Sequence, residues 1–338
     1  MLAARLHPGE RSLRLEDVPV PEQVGDQVLV RVVGAGVCHS DLHVLDGLFD
    51  DAMRLPVTMG HEIAGRVEAM GPEVRELEAG EAVAVMVGWG CGHCEWCVSG
   101  HEQLCPSGDE AGATKDGGFA EYVLVPHRRH LVSLGSLDPL EATPFGCAAL
   151  CSYAAVKRVR PHLAGGSTLV VVGAGGLGQY GIQFARALTG ATVIAVDVRA
   201  GRLARALELG ADHGVVAGPG ATDEIRELSA GRGADAVVDF VGTDDSLALA
   251  ARVVGRRGLV ALLGLAGGSV PFGFFALAPE ASLTTVVAGT VLDLQEVVRL
   301  AQAGRIAGGI DTYALGRIGD ALADLRAGRV EGRAVVTP

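Results

Sequence analysis

Residues 168–178 read Thr168-Leu-Val-Val-Val172-Gly173-Ala-Gly-Gly-Leu-Gly178. An apolar, β-branched run ends in G-x-G-x-x-G, and a helical stretch, Gln179 to Leu188, follows at once. The first glycine permits a tight turn, the second lets backbone approach a pyrophosphate, and the helix N-terminus supplies a positive dipole end. Gly173, Gly175, Gly176, Leu177 and Gly178 are therefore a candidate dinucleotide loop. The next strand, Thr192 to Asp197, ends in an acid nineteen residues after Gly178. A carboxylate there takes ribose hydroxyls, which favours NAD and repels the 2′-phosphate of NADP. Arg199 and Arg202 lie close by in sequence and soften that preference; Arg202 is counted among the cofactor-binding candidates. The plainer alternative is a structural turn with a surface Asp, which the strand–turn–helix context opposes.

Working outward, a helical segment at Arg202–Leu209 precedes strand-like His213–Val216. Ala221–Ser229, Ala236–Phe240, Asp245–Val254 and Gly258–Leu263 continue the alternation of helix and strand. Near-continuous apolar strands between helices predict a doubly wound parallel sheet. The first 150 residues instead show short alternating runs, among them Gln27–Val33, Ile63–Ala69, Ala82–Val87 and Ala120–Val125, which is β-rich texture. The tail predicts a strand near Leu283–Val287 and helices at Asp293–Ala303 and Ile318–Ala327.

The 338 residues suit two domains, and 49% hydrophobic against 20% charged residues excludes a disordered chain. Forty-nine glycines without a G-X-Y period point to many tight turns. A net charge of −12 argues against nucleic acid and anionic membranes as partners. Arg outnumbers Lys 26 to 2, which reads as compositional bias and not as a sign of thermal stability. No secretory signal is legible in residues 1–15, so a cytoplasmic protein is expected. The uncharged stretch Leu259–Pro279 reaches membrane-spanning length, but Gly264, Gly267, Gly268, Pro271 and Gly273 break it. A buried strand followed by a loop is the expectation.

Seven cysteines in such a chain read as metal or catalysis before disulfides. Cys91-x2-Cys94-x2-Cys97-x7-Cys105 can wrap four sulfurs around one ion with no position left open, the pattern of a structural zinc. An iron–sulfur cluster takes the same donors, and two disulfides would require an oxidising compartment. His93 and His101 lie inside the lobe and read as solvated loop residues. Cys38-His39-Ser40-Asp41-Leu42-His43 and Gly60-His61-Glu62 are the other chemistry-dense segments.

Taken together, GVCHSDLH (36–43), GHEIAGRV (60–67), the four-cysteine lobe, GGFAEYV (117–123), the glycine loop, Asp197 and EGRAVV (331–336) resemble the zinc-dependent medium-chain alcohol dehydrogenases essentially end to end. The resemblance implies an α/β chain with a β-rich GroES-like catalytic domain at 1–148 and 287–338 and a Rossmann NAD-binding domain at 149–286. It implies that Cys38, His61 and Cys147 hold a catalytic zinc, with Glu62 behind it and Asp41 fixing the imidazole. It further implies a proton relay through Ser40 and His43, pyrophosphate contacts from His39 and Arg333, and a nicotinamide pocket at Gly264–Leu265. The implied reaction is hydride transfer between NAD and a primary or secondary alcohol, or the reverse carbonyl reduction, in a homodimer or homotetramer.

Some residues depart from the pattern. Ala149 stands where the family carries Gly. Cys151 stands where a Thr packs on the nicotinamide, and it competes with Cys147 for the role of third ligand. Val287-Ala288-Gly289-Thr290 is small where some relatives are bulky, which predicts room for medium or bulky substrates. Two further readings stay open: a polyol or amino-alcohol dehydrogenase of the same superfamily, and a non-catalytic dinucleotide-binding redox sensor using Cys151. A zinc-free quinone reductase would need neither Cys38 nor His61.

Overall fold

The computed structural model describes residues 1–338. It divides into two compact units, Met1–Leu150 with Ala288–Pro338, and Cys151–Val287. Along the chain the first strands are β1 (Leu2–Leu6), β2 (Arg14–Asp17), β3 (Val28–Gly36), β4 (Val57–Thr58), β5 (Glu62–Met70) and β6 (Ala82–Val85). They are followed by β7 (Gly88–Trp89), β8 (Asp109–Glu110), β9 (Tyr122–Val125) and β10 (Leu131–Ser133). The helices α1 (His39–Leu45), α2 (Glu95–Val98), α3 (Pro139–Ala142) and α4 (Ala148–Val159) fall between and after them.

Strands β11 (Thr168–Val172), β12 (Thr192–Asp197), β13 (His213–Val216), β14 (Ala234–Asp239), β15 (Val254–Leu262) and β16 (Ser282–Thr285) build the second unit. With them come helices α5 (Gly178–Leu188), α6 (Ala200–Glu208), α7 (Ala221–Leu228) and α8 (Asp244–Val253). All its strand pairs are parallel, in the order β13-β12-β11-β14-β15-β16. Every residue of β11 is buried, and the sheet carries a separate apolar cluster on each face. Each fully buried Val, Leu or Ile contributes about 1.5–3 kcal/mol. Strand order reverses between β11 and β14, which opens a crevice at their carboxyl ends, where Gly173 and Asp239 lie. The stretch from Leu259 to Pro279 is the end of β15 and a loop, and no helix of the chain is long and apolar enough to cross a membrane.

In the first unit the main sheet runs β10-β6-β5-β3-β18-β17, with β17 (Ile310–Ala314) and β18 (Arg333–Thr337) contributed by the far end of the sequence and β9 paired to β3. A three-stranded sheet, β2-β1-β4, completes it with the helices α9 (Val291–Gln302) and α10 (Ile318–Arg326). The pairing that matters for function is antiparallel β3 with β5, where Gly36 faces Glu62. Strand β18 pairs with the other edge of β3, Val335 facing Gly36. The end of β3 and the starts of β5 and β18 therefore converge, and residues just outside those strand ends are forced together.

Candidate active site

Cys38 leaves the end of β3 as its backbone turns into α1, and the amide of Cys38 donates to Asp41 Oδ2 at 2.8 Å. His61 sits one residue before β5, immediately after Gly60, whose φ of +93° only glycine adopts without strain. Cys147 follows the short turn Thr143–Gly146, which lies on the end of β6 so closely that a Cβ at Gly146 would stand 2.5 Å from the Val85 carbonyl. The ligand atoms of Cys38, His61 and Cys147 all lie within 4.8 Å of one another, and all three residues are buried. Cys147, and not Cys151, completes the trio.

Asp41, 2% exposed, faces His61 Nδ1 at 3.3 Å, which leaves Nε2 as the nitrogen available to a ligand. Burial opposes the imidazolium, but Asp41 and Cys38 outweigh it and hold His61 well above the usual histidine range. Cys38 is held well below the ordinary thiol range, first by its contact with Cys147 and further by the Arg333 and His61 charges. Thiolate-favouring surroundings and an imidazole fixed by a carboxylate are the donor chemistry of a zinc site.

Behind these residues Glu62 and Arg333 form a fully enclosed ion pair, with Arg333 Nε donating to Oε2 at 2.7 Å and a second nitrogen to Oε1 at 3.2 Å. Glu62 Oε1 also accepts the Ala148 amide at 2.6 Å, tying the residue after Cys147 to the start of β5. Burial pushes Glu62 up while Arg333 pulls it back. The resemblance gave Arg333 a pyrophosphate contact; in the structure it is 2% exposed and turned onto Glu62. Sequence reasoning did not foresee this pairing, because 271 residues separate its members.

Ser40 and His43 lie one turn apart on α1 and are both half-buried, with Ser40 Oγ 3.7 Å from Cys38 Sγ. His39, on the same helix, is exposed.

The four-cysteine lobe is assembled around α2. Sγ–Sγ separations of 4.0 Å (Cys91 to Cys97) and 3.7 Å (Cys94 to Cys105) bracket the ~3.8 Å edge of a tetrahedron with ~2.3 Å metal–sulfur bonds. All four sulfurs lie within 4.8 Å of one another, and all seven cysteines of the chain are free. Spacing this tight holds one ion and leaves no room for several irons. Backbone contacts from His93 and Cys94 pull Cys91 down to about 6, and desolvation pushes Cys97 up to about 12. That opposition is relieved by a cation shared among the sulfurs. His93 and His101 are exposed, as solvated loop residues should be.

In the second unit, Gly173 adopts φ +87°, and a Cβ on Gly178 would stand 1.8 Å from the Gly173 carbonyl, so the loop closes only with glycine at both positions. Asp197, 5% exposed, accepts the Ala174 amide at 2.9 Å and the Arg199 amide at 3.0 Å. Arg202 stands 3.7 Å from the same carboxylate, and a Cβ on Gly175 would meet the Arg202 guanidinium at 3.3 Å. Leu177 N-caps α5 and its carbonyl accepts Ser152 Oγ at 2.9 Å. Gly264 and Leu265 follow β15 at the same carboxyl edge; a Cβ on Gly264 would strike the Val241 backbone at 2.2 Å, and Leu265 is half exposed. Gly-restricted backbone beside a helix N-terminus and a carboxylate suits a dinucleotide.

Comparison with known proteins agrees with this geometry. Residues 25–136 match the alcohol dehydrogenase GroES-like domain, and residues 176–303 match the zinc-binding dehydrogenase domain. A NAD-dependent alcohol dehydrogenase of Sulfurisphaera tokodaii is 39% identical, with 100% of both chains aligned. A D-arabinose 1-dehydrogenase (NADP(+)) of Saccharolobus solfataricus is 36% identical over 99% of this chain and 97% of its own. Among solved structures, the alcohol dehydrogenase of Aeropyrum pernix superimposes with a TM-score of 0.94 at 35% identity, covering 100% of each chain.

Proposed function

Because the chain belongs to the zinc-binding alcohol dehydrogenase family, we infer that it moves a hydride between NAD and a primary or secondary alcohol, and reduces the corresponding carbonyl in reverse. The observation that carries this reading is the convergence of Cys38, His61 and Cys147 within 4.8 Å, with Asp41 fixing the imidazole. Cys38, Cys147 and His61 would hold a zinc that would supply Lewis acidity, and bound NAD would supply the hydride-accepting chemistry. Asp41 keeps the His61 tautomer and ring angle. Glu62, anchored by Arg333, pins the Ala148 amide and with it the position of Cys147. Ser40, beside Cys38, receives the proton that leaves the hydroxyl, and His43 one turn away passes it outward. Asp197 favours the unphosphorylated ribose of NAD.

Cys91, Cys94, Cys97 and Cys105 hold the structural zinc. A homo-oligomer is part of the same reading: β16 is an unpaired sheet edge, and Phe272, Phe274 and Phe275 in the loop that leads to it are at least 80% exposed. We place the enzyme in the cytoplasm, where reducing conditions keep its seven cysteines free.

Elemental analysis of protein purified without chelator, with NADH absorbance followed on the same sample, tests the assignment. Two zincs per chain and NAD-dependent alcohol oxidation are expected. Cys147→Ala should lose one zinc and the turnover, whereas Cys151→Ala should keep both zincs. The opposite outcome for the two variants would overturn the ligand set.

A further inference from the structure

Glu110 stands apart from the other acids of the catalytic unit. It ends the two-residue strand β8, where it pairs with Gly88 of β7. The turn that follows is pressed against the segment carrying His61. A Cβ at Gly112 would lie 2.8 Å from the Gly60 nitrogen, and the Gly118 amide donates to the Gly60 carbonyl at 2.7 Å. This packing brings Glu110 near enough to His61, Asp41 and Cys38 for all three to act electrostatically on its carboxyl. Desolvation by the surrounding protein is the largest influence and raises its pKa, yet the residue remains exposed to solvent. The side chain thus reaches solvent within electrostatic range of two of the three gathered ligand residues and of the carboxylate that fixes the imidazole.

The neighbouring acid makes the contrast plain. Asp109 is satisfied by Thr114 Oγ1 at 2.9 Å and by Arg54 and Lys115. The Glu110 carboxylate has no ion pair or hydrogen bond within the chain, although its backbone amide is bonded to Thr114. Hydrophobic alcohols gain nothing from such a group, because an apolar chain laid against it strips water from a carboxylate and returns no hydrogen bond. A substrate bearing a second donor gains a charge-assisted one.

We propose that Glu110 is a specificity-determining residue for the alcohol, receiving a hydroxyl or ammonium donor carried a few atoms from its reacting carbon. The proposal rests on the reading that the alcohol reacts beside Cys38, His61 and Cys147. It narrows the substrate class to polyols, sugars and amino alcohols and sets simple alkyl alcohols behind them.

The test compares kcat/KM for 1-butanol, 1,3-propanediol and 3-amino-1-propanol, three chains of equal length whose far end is methyl, hydroxyl or ammonium. It uses the zinc-loaded wild type, E110Q and E110L, with zinc content verifying that each variant has folded. The wild type should favour the diol or the amino alcohol over 1-butanol. E110Q should cut the preference for 3-amino-1-propanol by about 10-fold or more while retaining more of that for the diol. E110L should raise KM for both polar substrates and turn the order toward 1-butanol. Turnover of all three alcohols with ratios unchanged across wild type, E110Q and E110L would overturn the proposal and leave the dehydrogenase reading standing. Failure of the zinc-loaded wild type to oxidise any alcohol with NAD would overturn both.

Discussion

Arg333→Met offers a direct measure of how the catalytic unit is held together. The substitution keeps the volume of an unbranched side chain and removes the guanidinium that faces Glu62 through contacts of 2.7 and 3.2 Å. Glu62 is 0% exposed, so water cannot replace the lost partner. Breaking a buried pair from one side costs about 3–5 kcal/mol, because the remaining charge is left without compensation. Glu62→Gln should cost a comparable amount, since it strands the Arg333 charge. The double variant strands neither, and it should lie within about 2 kcal/mol of wild type, giving a coupling energy of about 3 kcal/mol or more. Urea unfolding followed by tryptophan fluorescence is the assay. Trp89 and Trp96 both lie in the unit that contains the pair, so the signal reports that unit even where the whole chain is not two-state. A loss under about 1 kcal/mol for Arg333→Met, or a double variant as unstable as the sum of the singles, would show that the pair does not hold the unit.

Two further outcomes are expected. His130, 4% exposed, is pushed down to about 3 by desolvation and by the neighbouring Arg129 and His127 charges. The folded protein keeps this imidazole neutral while the unfolded chain protonates it near 6.5, so unfolding takes up a proton between those values and stability falls as pH drops through that window. The share lost by about pH 5 is about 2 kcal/mol; His130→Gln should flatten that part of a melting-temperature profile, and an unchanged slope would refute the assignment. Asp197→Ala removes the acceptor of the Ala174 and Arg199 amides and frees Arg202. The NAD to NADP ratio of kcat/KM should fall by a factor on the order of 10–100, which steady-state assays with both cofactors would check.

The Rossmann unit was legible because its central strands are buried almost throughout and read as apolar runs: Thr168–Val172 and Thr192–Asp197 are strands over the residues expected. Where exposure interrupts the run, the reading shortens. Strand β15 begins at Val254, four residues before the expected Gly258, because Arg256 and Arg257 point to water within it. In the first unit β2, Arg14–Asp17, is mostly exposed and carries no apolar alternation, and β17, Ile310–Ala314, has no buried residue at all. Metal ligands could be read because Cys and His in tight spacing carry their own chemistry. Glu62 with Arg333 could not, since the contact exists only after β3, β5 and β18 have been laid side by side. Glu110 gave no signal either; an acid five residues past Cys105 looks like any solvated loop residue until Gly112 packs against Gly60.

The interleaved layout has a consequence for biosynthesis. The counter-ion of Glu62 is encoded 271 residues downstream, on the far side of the entire nucleotide-binding insert. At ribosomal speeds that interval lasts about 15–50 s, ample time for the Rossmann insert to fold on its own. For the later part of it, once Cys147 has followed Cys38 and His61 out, all three ligands are present, but the strand that closes the sheet beside Gly36 is not. The nascent chain thus presents reactive thiols on an unfinished scaffold, and zinc acquired in that period would be held without the carboxylate–guanidinium brace. A braced catalytic centre therefore has to wait until β18 has been made, whereas the cysteine lobe, whose four ligands span fifteen residues, is complete long before.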